Sequence, residues 1–114
     1  MQDVFETLDE ARQNFLVSYP SDIGRMWDAA VMAQGASADI LERLNADPSL
    51  LSDWEHRALG ILATGLQASA EVAMHAIEPG ESEYEFHVVD HELIMLAFSH
   101  FQVSFDVYDG AFRS

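Results

Sequence analysis

From Asp3 to Tyr19 the apolar side chains fall at Val4, Leu8, Ala11 and Phe15, with Phe5 and Leu16 beside them. Asp3, Glu6, Glu10 and Gln13 take the other side. Spacings of three and four put the first set on one face of a 3.6-residue helix, so an amphipathic helix is expected here. Tyr19-Pro20 ends it, because proline pushes the residue before it out of helical geometry. Ser21 can cap a second helix, with Asp22 in its first turn, where negative charge suits the macrodipole. Ile23, Met26, Trp27, Ala30 and Val31 form its apolar face. Gly35 is expected to end or kink this helix, and Ser37 to start a third piece carrying Ile40, Leu41 and Leu44. Asn45-Ala46-Asp47-Pro48 reads as a turn.

Ser52-Asp53-Trp54-Glu55 has the form of a capping box, a serine followed three residues later by glutamate ahead of an apolar run. The helix it opens is expected to reach about Ile77, where Glu78-Pro79-Gly80 breaks it. Ala58, Leu59, Ile61, Leu62, Ala63, Leu66, Ala70, Val72 and Ala73 surround its axis on nearly every side. A helix apolar all round is covered by neighbours, so this one is placed at the centre of the fold. Gly60, Gly65 and Ser69 would let other helices approach closely.

The last third carries two periods at once. Tyr84, Phe86 and Val88 alternate with Glu83, Glu85 and His87, and Phe101, Val103, Phe105 and Val107 alternate with Gln102, Ser104 and Asp106, as strands do. Leu93, Leu96, Ala97, Phe101, Phe105 and Tyr108 also form a helical stripe, with Asp90 as a cap and Gly110 where a C-terminal cap glycine belongs. A helix over about Asp90 to Asp109 is preferred, since no turn is signalled inside it. The expected fold is therefore all-α, a compact four- or five-helix bundle around the central apolar helix, in one domain over residues 1–114. The alternative is α+β with a short C-terminal hairpin.

Composition adds that the core is real and the surface one-signed. Hydrophobic residues make up 49% of the 114 residues, including seven Phe, enough for a packed interior. There are no cysteines, which excludes disulfides and thiolate chemistry. Ala58 to Ala70, 13 residues without a charged side chain, is too short and too interrupted by polar residues to span a bilayer. Met1 to Glu6 carries acid where a secretory signal carries base, so the expected location is cytoplasmic, away from membranes. Twenty Asp and Glu face five Arg and no Lys, a formal charge of −15. Solubility alone needs a magnitude of only about 2–8 in a small domain. Such a surface repels nucleic acid and attracts basic proteins. The competing source of acidity is a host whose proteins are all adapted to molar salt.

The candidate partner-binding residues are Glu78, Glu81, Glu83, Glu85, Asp90 and Glu92. No Arg lies between Arg57 and Arg113 to neutralise them within this half of the sequence. On an extended segment Glu81, Glu83 and Glu85 would project from one face about 6.6–7 Å apart, near the separation of successive phosphates. His87 and His91 share the four-residue spacing of helical metal sites, but Val88 stands where a metalloprotease has glutamate. Asp53-x-x-His56 occurs once, whereas a di-iron bundle repeats Glu-x-x-His on two helices. Trp27, Trp54, Met26, Met32, Met74 and Met95 read as core, and Phe112 as an anchor or a packing residue. No Gly-x-Ser-x-Gly elbow, phosphate loop or lysine is present, so no catalytic residue, metal or cofactor is expected. The expected activity is that of a small acidic inhibitor which occupies a basic, nucleic-acid-handling protein as a nucleic-acid mimic. Anti-CRISPR, anti-restriction and nuclease-immunity proteins are the classes that work this way. The alternative is a structural or regulatory helical oligomerisation module, for instance a homodimer, from a salt-adapted host.

Overall fold

The computed structural model describes residues 2–19, 21–46, 52–79 and 86–112. Four helices carry the fold: α1 (Gln2–Ser18), α2 (Ile23–Ala46), α3 (Asp53–His75) and α4 (His91–Phe112). Two short strands, β1 (Ile77–Pro79) and β2 (Phe86–Val88), pair antiparallel between α3 and α4. The result is an all-α bundle about 47 Å long and 23 by 20 Å across.

Cross-helix bonds fix the up-and-down order. Arg25 on α2 binds Asn14 on α1, while Arg43 binds Asp3, so α1 and α2 run antiparallel. His56 on α3 meets the Leu44 carbonyl, and Gln34 reaches Glu71, which sets α3 antiparallel to α2. Small residues let these three helices pack closely. Ala29, Ala30, Ala33, Ala36 and Ser37 of α2 and Ala63, Ser69, Ala70 and Ala73 of α3 are all buried. The α1–α4 seam is built from rings instead. Phe15 stacks on Phe98 at 4.5 Å, and Phe5 lies 5.2 Å from Phe105 and 5.9 Å from Tyr108. The Arg12 guanidinium sits 5.2 Å from the Phe105 ring centre. Where small residues of all four helices meet, lined by Ala30, Ala70, Ala73 and Ala97 among others, a half-open apolar pocket of about 30 Å³ remains.

Buried hydroxyls are satisfied within their own helices. Ser37 donates to the Ala33 carbonyl at 2.7 Å and Ser18 to that of Phe15 at 3.1 Å. Among the described residues no buried side-chain polar atom lacks a partner.

Several local expectations change. Gly35 neither ends nor kinks a helix: α2 runs through it to Ala46, because Gly35 lies on the exposed side while Ala33, Ala36 and Ser37 hold the core. Asp22 caps α2 in place of Ser21, its Oδ1 accepting the Arg25 N–H at 3.1 Å. At α3 the Ser52 hydroxyl donates to the Glu55 carboxylate at 2.6 Å and makes no backbone cap, so side chain meets side chain in place of the expected capping box. Trp54 is 67% exposed and Met95 56%, neither of them core. α3 supplies Leu59, Ala63, Leu66 and Ala70 to the interior but also leaves Ile61 74% exposed. After Glu83 both periods find a use. Phe86 to Val88 is strand, and the stretch from Phe101 to Val107 is helix, continuing through Gly110 rather than stopping there.

Candidate functional site

The hairpin closes one end of the bundle. Its register pairs Ile77 with Val88, Glu78 with His87 and Pro79 with Phe86, and the Val89 N–H extends it to the Ala76 carbonyl at 2.9 Å. Strand alternation turns Ile77 inward, where it packs with Phe15, Met26 and Ile94, and Val88 packs against the same group. The opposite face carries Glu78 and His87, both exposed. α4 begins immediately afterwards. Asp90 caps it, with Oδ1 accepting the Leu93 N–H at 3.0 Å, and Glu92 stands exposed in its first turn. The positive end of the helix dipole offsets part of both charges.

Three of the six sequence candidates, Glu78, Asp90 and Glu92, are thus gathered at the hairpin end. Glu81, Glu83 and Glu85 fall in the link between the strands and lie outside the described residues. Asp22, distant from these in the sequence, joins this end through the start of α2. Arg25 stands there too, but Asn14 holds its guanidinium through contacts of 3.1 and 2.7 Å.

A second acidic surface covers the outer side of α1 and α2. Glu6 and Glu10 stand exposed one turn apart on α1, and Asp28 and Glu42 are exposed on α2. Glu6 and Glu10 are neighbours on α1, whereas Asp28 and Glu42 stand about four turns apart on α2, so these acids are spread along the two helices rather than run together. Arg43 lies between the helices, 2.7 Å from Asp3 and 3.0 Å from Asp39. Its hydrogen bond holds the Asp3 carboxyl down at about 2, from an ordinary 3.8. Arg12 is likewise tied to Asp9 at 2.7 Å. Three of the arginines are therefore engaged inside the chain, while every described Asp and Glu side chain is exposed or half-buried.

The histidines do not converge. His87 lies on β2 and His91 opens α4, while His56 and His100 serve as ties between helices. His100 Nδ1 lies 2.7 Å from the Ser69 hydroxyl, which also bonds the Gly65 carbonyl at 2.8 Å, so this contact joins α3 to α4. Among the described residues no three His, Asp or Glu side chains stand together as metal ligands. Nor is any described helix long and apolar enough to cross a membrane. Comparison with protein-family models, curated proteins and solved structures finds no match to this chain.

Proposed function

We propose that this protein binds and inhibits a basic, nucleic-acid-handling protein, presenting the hairpin end of the bundle as a mimic of a phosphate backbone. The observation that supports the reading is the separation of charges. The arginines near the acidic surfaces are bound by Asn14, Asp9, Asp3 and Asp39, and the carboxylates of Glu78, Asp90 and Glu92 face solvent. The base of the hairpin, anchored by Ile77 and Val88, would carry the acids of the link between its strands. Opposite charge speeds encounter, and added salt weakens it.

Tagged protein is incubated with cognate lysate at low salt and washed with rising salt, and the bound proteins are identified by mass spectrometry. Support is recovery of one basic nucleic-acid-binding protein, released by salt and lost when Glu81, Glu83 and Glu85 are changed to Gln. Recovery of no such protein, or of a partner indifferent to salt and to those changes, overturns the proposal.

A further inference from the structure

The outer side of α3 and α4 differs from the rest of the surface. The two helices run antiparallel and come close at Gly65, where an added Cβ would stand 3.5 Å from His100 Cε1 and 3.6 Å from Ser104 Oγ. Outside that contact, Ile61 is 74% exposed, Leu96 65%, Val103 63% and Val107 49%. Leu96, Val103 and Val107 follow spacings of seven and four, which keep them on one stripe of α4. Trp54 and Ile61 are seven apart on α3, and Trp54 is 67% exposed. Neither Ala58 to Ala70 on α3 nor Leu93 to Phe105 on α4 contains an Asp, Glu, Arg or Lys. Two uncharged stretches therefore lie side by side in a chain of net charge −15.

We propose that a second copy of this chain docks on this face, in an antiparallel two-fold arrangement centred on Val103 and Ile61. Charge selects the occupant. A two-fold contact sets each patch against its own copy, so an acidic patch opposes acid with acid. The α3–α4 face lets two such chains meet with their carboxylates turned away. A basic partner would gain nothing from an uncharged face and is drawn to the other surfaces.

The size suits a weak, reversible dimer. The uncharged stretches, 13 residues or about 20 Å on each helix, and two helix widths, about 20 Å, outline roughly 400 Å², about half the ~800 Å² per partner in a standard interface. The inference is independent of the inhibitor reading, since it uses a different face. It also has the opposite salt dependence: screening reduces repulsion between two chains of charge −15, so the dimer tightens as salt rises.

Sedimentation equilibrium of the full chain, from micromolar to near-millimolar concentration at low and high salt, tests this. The expected result is twice the 12.7 kDa chain mass, with an association that strengthens in salt. The double variant I61Q/V103Q, which leaves net charge unchanged, should weaken it at least tenfold while retaining wild-type circular dichroism. V31Q, an exposed valine on α2, should leave it intact. If the double variant does not fold, Val103→Cys serves instead and should give a disulfide-linked dimer on mild oxidation. A 12.7 kDa monomer throughout, or a dimer unaffected by I61Q/V103Q and uncrosslinked through Val103→Cys, overturns the proposal.

Discussion

Replacing Gly35 and Gly60 by alanine should stabilise the bundle, and the sign of the effect tests how α2 and α3 are built. Both glycines lie inside helices, and an added Cβ would meet no atom within 4 Å at either position. Nothing is displaced, so the change removes the entropy glycine loses on entering a helix, about 0.5–1 kcal/mol per site. The sites are on different helices and share no partner, so the gains should add to roughly 1–2 kcal/mol. For a chain of this size that is a rise in melting temperature of about 2–6 °C for each variant and roughly twice that for the pair. Thermal and urea melts followed by circular dichroism read both quantities. A glycine that ended α2 in left-handed geometry would give the opposite sign, with alanine destabilising by about 1 kcal/mol. A loss of stability in Gly35→Ala would therefore refute a continuous α2.

Other substitutions separate structure from charge. Asp90→Ala should cost about 1 kcal/mol through loss of the α4 cap. Asp90→Asn should keep the cap while removing the charge, so a binding defect in Asp90→Asn with an unchanged melt would isolate its electrostatic part. Phe98→Ala breaks the ring stack with Phe15 beside the apolar pocket and, with Phe98 half-buried, should cost about 2–3 kcal/mol by urea titration. Asp3 should titrate near 2 by NMR. Because its folded value is depressed, its contribution to stability is full above about 3.8 and disappears as pH falls through about 2; Arg43→Met should return the midpoint toward 3.8. Burial, with the Asp3 charge adding to it, raises Tyr108 above its ordinary 10.0. The folded state then holds a proton the unfolded chain gives up, and stability should fall as pH rises past 10, followed by tyrosinate absorbance.

Much of this fold could be read from spacing. Val4, Leu8, Ala11 and Phe15 mark α1 because their period matches one helical face, and all four are buried. The last helix was harder, since Phe101, Val103, Phe105 and Val107 alternate like a strand. Phe101 and Phe105 are four apart and face inward, while Val103 and Val107 are four apart and face outward, so one stretch satisfies both periods. Trp54 reads as core because it falls on the apolar stripe of its helix, whereas in the first turn of α3 its ring is left 67% exposed. The acidic candidates between Glu78 and Glu92 were legible as a local run of charge. The acids of α1 and α2 stand out less in the sequence, because they are spaced along two helices among apolar residues.

The aromatic seam between α1 and α4 bears on how the bundle assembles. Neighbouring helices elsewhere join through short links, giving mostly local contacts of the kind that form quickly. The seam is different, bringing Phe5 against Phe105 across almost the entire chain. Its closure carries the largest loop-entropy penalty in the molecule. A seam that closes late predicts that substitutions in its rings speed unfolding more than they slow folding. In the folded protein the same seam can open while α1 stays paired with α2 and α4 with α3, so the rings of Phe5 and Phe105 can part with every helix still formed.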